Sequence, residues 1–308
     1  EAKRLYQSQA LVVERYLEKA RHVEVQILGN AAKENFALFD RDCSAQRNNQ
    51  KIIEEAPAPH LPNTVRLTLH ASAVRLANHV GYTNAGTMEY LYDSARQECY
   101  FLEMNTRLQV EHTVTEMITG LDLVYEQIRI AEGARTDYST VKAFGHAIEA
   151  RICAEKSDGS YQPSTGVITQ YIEPKEQPPV ACEPGASMRL ESGVELGSRV
   201  SGKYDNMIAK LIVHAENRDA ARVFLHAKLT EFIINGLHTN IPLVKALLLD
   251  SKFAAVEHYT RYLQREFTPP QNDVEETATV AALLLYEIER NESTTRIDTI
   301  LETHKQRV

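Results

Sequence analysis

The segment Glu103-Met-Asn-Thr-Arg-Leu-Gln-Val-Glu111 places Glu103, Asn105, Arg107, Gln109 and Glu111 at every second position. Side chains alternate across an extended chain, so this spacing predicts five polar groups on one face and Met104, Thr106, Leu108 and Val110 on the other. Such a face can hold an ionic ligand. The preceding pattern predicts a hairpin, residues 87–93 with 99–105, in which pairing Tyr92 with Tyr100 sets Glu89 opposite Glu103. Facing carboxylates repel unless a cation lies between them. With the Asn105 carbonyl they form a hard donor set suited to a divalent ion such as Mg²⁺, which also takes phosphate oxygens as ligands. A lone glutamate on an alternating strand is ordinarily a solvated side chain. Five such groups with Glu89 facing them favour a ligand site.

A second cluster, Asp40-Arg-Asp-Cys-Ser-Ala-Gln-Arg-Asn-Asn-Gln-Lys51, reads as a polar loop. Arg41, Arg47 and Lys51 are the right types to neutralise phosphate or bicarbonate, with Gln46 adding hydrogen bonds; taken alone, a polar loop of this kind is more often a solvated turn. Gly197-Ser-Arg-Val-Ser-Gly-Lys203 has most of the spacing of a phosphate loop, but Tyr204 follows it instead of Ser or Thr. No strand-loop-helix order surrounds it, so it reads as a structural turn. No His-Glu-x-x-His or Gly-x-Ser-x-Gly occurs, which removes zinc-hydrolase and serine-hydrolase chemistry.

The elements that must position these residues follow from periodicity. Strands are expected at 10–17, 22–28 and 35–39, then a helix at 63–80 begun after Pro62 and stopped at Gly81. A helix at 122–131 precedes strands at 146–154, 166–172, 187–192 and 206–214 and helices at 219–234 and 242–250. Pro269-Pro270 breaks regular structure before a helical stretch at 274–290. The 308 residues are 43% apolar and 25% charged, enough for a sizeable core. No apolar run approaches the roughly 20 residues of a membrane span. A net charge of −8 repels nucleic-acid backbones. The four cysteines form no Cys-x-x-Cys pair, which favours a reducing compartment. The start shows no secretory leader.

The run Glu103-Met-Asn-Thr-Arg-Leu-Gln-Val-Glu-His-Thr-Val-Thr-Glu-Met-Ile-Thr-Gly120 resembles the biotin carboxylase family of ATP-grasp ligases. Residues 40–59, Gly145-His-Ala-Ile-Glu-Ala-Arg151, Tyr204-Asp-Asn-Met-Ile-Ala-Lys210 and Gly236-Leu-His-Thr-Asn-Ile241 resemble its other segments in the same order. Acidic-Met-Asn strands also occur in carbamoyl phosphate synthetase, but Arg107-Leu-Gln-Val-Glu-His112 points to the biotin-dependent branch. The later segments look like the C-terminal portion of the carboxylase part of an acetyl- or propionyl-CoA carboxylase alpha subunit. The resemblance implies an α+β fold: the C-terminal lobe of an ATP-grasp domain, an antiparallel sheet with flanking helices, plus a biotin carboxylase C-terminal subdomain. Residues 1–16 would be a remnant of lid and hinge, 17–138 the ATP-grasp core, 139–267 the C-terminal subdomain and 268–308 a helical connector. The family's N-terminal domain and lid are expected to precede Glu1 and to be absent here, which implies little turnover by this chain alone.

The resemblance further implies that Glu89 and Glu103, with Asn105 beside them, hold Mg²⁺ or Mn²⁺ on the ATP phosphates. Arg107, Gln109 and the Val110 amide would bind bicarbonate and Glu111 would take its proton. Carboxyphosphate would then supply CO₂ and a phosphate base, with Arg107 and Arg151 steadying the developing enolate of biotin. Glu14, Arg15 and Leu17 resemble the adenine hinge, and His22, Gln46 and Lys51 match positions near the nucleotide or bicarbonate. Asn49 stands where the family usually has a ribose-associated histidine. No Met-Lys-Met attachment motif occurs, so biotin would arrive on a separate carrier domain. A carboxyltransferase component and a homodimer or larger complex are the other implied partners, in the cytoplasm or, in a eukaryote, the mitochondrial matrix. Two rivals stay open: a non-catalytic assembly module that retains the fold, and another ATP-grasp ligase with a different acceptor.

Overall fold

Strand alternation builds the site's platform. In the computed structural model, which describes residues 3, 7, 8, 10, 11, 13–176 and 185–270, strand β1 (Ala20–Gly29) is buried along its whole length. Val23, Val25 and Ile27 lie on one face and His22, Glu24 and Gln26 on the other. β2 (Asn35–Arg47), β3 (Gln50–Ala56), β4 (Asn84–Asp93), β5 (Glu98–Asn105), β6 (His146–Cys153), β9 (Ser187–Ser192) and β11 (Met207–Ala215) join it. All pairs are antiparallel, in the order β5-β4-β1-β2-β3-β6-β11-β9.

One face is closed by helices. α1 (Asn63–His79) lays Leu69, Ala73 and Ala77 over Val23, Val25, Ile27, Met88 and Tyr90. Farther along the sheet, α4 (Arg218–Glu231) and α5 (Ile241–Leu249) pack Phe224, Leu225, Leu243 and Leu247 on Ile53, Ala150 and Leu211. The opposite face receives α2 (His112–Thr119), whose Val114 and Ile118 cover Ala56, Ala147 and Ile212. α3 (Leu123–Ala131) follows, its start fixed by Asp122 accepting from the Tyr125 amide at 2.8 Å. Short helices α6 (Ser251–Ala254) and α7 (Tyr262–Arg265) follow α5. The sheet is continuous across strands from residues 17–138 and from residues 139–267. No described helix is long and apolar enough to cross a membrane.

Several expectations are corrected. The described residues of 10–17 form no strand; Leu11 and Val13 are 78% and 93% exposed, with no neighbouring strand to cover them. The cluster at 40–51 is no loop but the end of β2, a turn at Asn48–Asn49 with φ of 49° and 63°, and the start of β3. The extended run predicted to Glu111 ends at Asn105, and the chain turns into the unexpected α2. The strand expected at 166–172 splits into β7 (Gly166–Val167), paired with β10 (Arg199–Val200), and β8 (Gln170–Ile172), paired with β12 (Ile233–Asn235). β12 takes up residues assigned to the end of α4. The stretch from Gly197 to Lys203 is a turn and the short β10, as its sequence suggested. Gly145, at φ +64°, enters β6 where a Cβ would collide with the Ala215 carbonyl oxygen. The helical stretch expected at 274–290 and Cys182 lie outside the described residues.

Candidate active site

The polar face of β1 and β4 forms the floor of a cleft of about 630 Å³. Lys51 reaches it from β3, where its Nζ donates to Glu24 Oε2 at 2.7 Å, Glu89 Oε1 at 3.1 Å and Glu111 Oε1. Burial opposes the charge on Lys51, but Glu24 and its acidic neighbours outweigh that and raise its pKa. His22 stands beside Glu24 and Glu89, at 3.5 and 3.2 Å from Nε2, with Gln46 2.9 Å from Nδ1. Burial lowers the imidazole pKa while the Glu24 and Glu89 carboxylates beside it more than compensate, leaving it at about 9. Burial likewise opposes ionisation of Glu89, yet the His22 contact and Lys51 bring its pKa down to about 2. The floor is therefore an ionised network.

Glu89 and Glu103 pair directly across β4 and β5. Asn105 Nδ2 donates to Oε1 of both, at 3.1 and 3.2 Å, so the amide turns its NH2, and not the expected carbonyl, to the two carboxylates at the cleft. The two facing carboxylates offer the hard oxygen donors that Mg²⁺ or Mn²⁺ takes. Ligand atoms of His22, Glu24 and Glu89 also lie within 4.8 Å of one another, but a raised imidazole pKa and the Lys51 ammonium already balance that charge.

Beyond Asn105 the chain leaves the sheet and α2 begins with Glu111 at its N-cap. Gln109 Nε2 donates to Glu89 Oε1 at 2.7 Å, and Arg151 NH2 from β6 donates to Glu111 Oε2 at 3.0 Å. Lys210 on β11 anchors the turn by donating to the Val110 carbonyl at 2.7 Å. Arg107 is exposed, donates only to the Leu108 carbonyl at 3.3 Å, and pairs with no carboxylate among the described residues. It lines the cleft with a free guanidinium, an arrangement that can bind a small anion.

Fifteen of the residues singled out in the sequence thus fall into two groups. Arg15, Leu17, His22, Gln46, Asn49, Lys51, Glu89, Glu103, Asn105, Arg107, Gln109, Val110, Glu111 and Arg151 all line the one cleft; the exposed Glu14 is outside its lining. Arg41 is corrected. It is fully buried and donates to Glu24, Gln26, Thr87, Gln109 and Thr115, so its charge serves the scaffold and reaches no ligand. Arg47 touches the cleft, but its guanidinium is held by Glu155 and Gln50. Sequence reasoning missed Glu24. The His22-Val-Glu-Val-Gln26 alternation carried the signal, since it predicts a polar face on β1.

Comparison with known proteins decides the family. The family model "Carbamoyl-phosphate synthase L chain, ATP binding domain" matches residues 1–138, and "Biotin carboxylase C-terminal domain" matches residues 149–265. The chain belongs to the biotin carboxylase family. It is 46% identical over 82% of its length to methylcrotonoyl-CoA carboxylase subunit alpha, mitochondrial, of Arabidopsis thaliana, and 40% identical over 86% to biotin carboxylase 1 of Bacillus subtilis. It spans 34% and 57% of those relatives' lengths. The biotin carboxylase domain dimer of Hydrogenobacter thermophilus 2-oxoglutarate carboxylase, solved with MgADP, ADP and bicarbonate, aligns with a TM-score of 0.78 and 39% identity. That alignment covers 85% of this chain and 56% of the other. The fold is accordingly that of biotin carboxylase ATP-grasp domains, an α+β antiparallel sheet with flanking helices.

Proposed function

We propose that these residues carry out ATP- and bicarbonate-dependent carboxylation of biotin, as the biotin carboxylase component of a biotin-dependent acyl-CoA carboxylase. One observation carries the reading: the facing carboxylates Glu89 and Glu103, a free Arg107 and the Glu111–Arg151 pair, drawn from distant parts of the sequence, share one cleft with Arg15 and Leu17. The solved relative that holds MgADP and bicarbonate supports it. Glu89, Glu103 and Asn105 would hold Mg²⁺ or Mn²⁺, which supplies charge neutralisation for ATP phosphates.

Arg15 and Leu17, with Glu14 beside them, hold the adenine end; His22, Gln46, Asn49 and Lys51 line the nucleotide's side of the cleft. Arg107, Gln109 and the Val110 amide orient bicarbonate near the positive end of α2. Glu111 takes the bicarbonate proton, so that its oxygen attacks the γ-phosphate to give carboxyphosphate and ADP. Carboxyphosphate then breaks down to CO₂ and phosphate. Arg107 and Arg151 offset the negative charge that grows on the acceptor.

Residues 17–138 would act as the ATP-grasp core and 139–267 as the C-terminal subdomain. Biotin would arrive on a carrier domain and pass its carboxyl group to a carboxyltransferase component, within a homodimer or larger complex in the cytoplasm or mitochondrial matrix. The test is a crystal structure of the intact enzyme with Mn²⁺, ADP and bicarbonate. An anomalous peak between Glu89 and Glu103, with bicarbonate against Arg107 and Gln109, is expected; metal and bicarbonate bound elsewhere contradict the reading.

A further inference from the structure

Beside this cleft lies a second acidic pair that the proposed reaction leaves unused. Glu54 on β3 stands directly opposite Glu149 on β6, and both carboxyl groups are 0% exposed. Two carboxylates held against each other in a dry sheet do not both stay ionised. Each keeps one oxygen without a hydrogen-bond partner, Oε2 of Glu54 and Oε1 of Glu149, where a proton can reside.

The remaining oxygens are tied to the reactive groups. Arg151 Nε donates to Glu54 Oε1 at 2.5 Å while its NH2 holds Glu111. Thr113 Oγ1 donates to Glu149 Oε2, and Lys210 Nζ lies 3.8 Å from the same oxygen. Lys51 and Glu111 add to the charges felt by Glu54, and Glu191 holds the far side of Lys210 at 3.0 Å. Burial raises both pKa values, that of Glu54 against the pull of Arg151 and that of Glu149 with Glu54 adding repulsion.

We propose that Glu54 and Glu149 share a single proton and act as positioning residues, the singly charged pair fixing Arg151 toward Glu111 and the cleft. The role in positioning rests on the reading of Arg151 and Glu111 as reactive-site groups; the shared proton does not. A doubly ionised pair would draw Arg151 and Lys210 inward, and Lys210 also holds the Val110 carbonyl. A fully protonated pair would cancel the charge that anchors Arg151 Nε. The one-proton state holds both sides of the bicarbonate turn in register.

Infrared spectroscopy of the 308-residue chain tests the proton directly. The expected result is a carbonyl stretch of a buried carboxylic acid at neutral pH, lost in Glu54→Gln and in Glu149→Gln alike because the introduced amide takes the place of the protonated acid and donates to the remaining carboxylate, which keeps the charge. If either variant fails to fold, the unaltered chain decides: the band should persist well above the ordinary carboxylate range and titrate away only as the pH is raised further. In the intact enzyme, Glu149→Gln should shift the acid limb of the carboxylation pH profile downward. Glu54→Gln should lower kcat on the order of tenfold or more with nucleotide KM unchanged, and Glu54→Asp should restore part of it. A missing band, or one that survives both substitutions, overturns the shared proton. A band that behaves as expected in an enzyme that never carboxylates biotin supports the shared proton and overturns the functional reading instead.

Discussion

Glu89 faces Glu103 across the β4–β5 ladder because of a bulge: Tyr90 pairs with Phe101, Glu89 pairs with Glu103, and Leu102 is left without a partner. A regular ladder running on from Tyr90 and Phe101 would set Glu89 against Leu102 and leave Glu103 a position away. The bulge thus brings two acidic groups together on the polar face, a use that such irregularities often serve beside binding sites.

Glu103→Gln should therefore weaken Mg²⁺-dependent nucleotide binding by about tenfold or more, while binding of metal-free ADP changes little. Calorimetric titration with ADP, with and without Mg²⁺, checks this. Equal losses in both titrations would assign Glu103 to the nucleotide itself.

Asn49 lies exposed at the β2–β3 turn with φ of 63° and lines the cleft. Histidine tolerates this backbone region. Asn49→His should add a hydrogen bond to bound nucleotide and tighten ADP by roughly three- to tenfold, equivalent to about 1 kcal/mol. The same titration reads it, and unchanged affinity removes Asn49 from the nucleotide's surroundings.

Acid stability should depend on Glu55. Burial opposes its ionisation, but Arg218 and His146 overcome this and hold its pKa at about 2. A carboxylate lowered in the folded state stabilises above its ordinary pKa of 4.5, and that contribution fades as pH falls from 4.5 toward 2. Urea unfolding of the native chain should steepen its pH dependence in this window. Glu55→Gln should flatten the slope and cost about 3–5 kcal/mol at neutral pH, because Arg218 is left buried without its anion.

The legible and illegible parts of this site differ in the range over which they are set. Alternation sets Glu103 and Asn105 locally, and Glu89 faces Glu103 as that pattern predicts even though Tyr92 pairs with Cys99 and not with Tyr100. The bulge at Leu102 absorbed the one-residue difference. Arg107, Gln109 and Glu111 reach the cleft from a turn and a helix cap, so their convergence comes from the path of the chain and not from a strand face. Arg41 has the chemistry of an anion ligand; only its position between β1, β4 and α2 shows that its donors are already taken. The Glu54–Glu149 pair depends on which strands become neighbours and in what register, information that no local pattern contains.

The central claim, that Glu111 activates bicarbonate in a cleft built for biotin carboxylation, is tested most directly by transfer of label from bicarbonate to biotin in the intact enzyme. Glu111→Gln should cut the rate by roughly 10²–10⁴-fold with assembly and ADP binding preserved. Undiminished labelling by that variant would contradict the account.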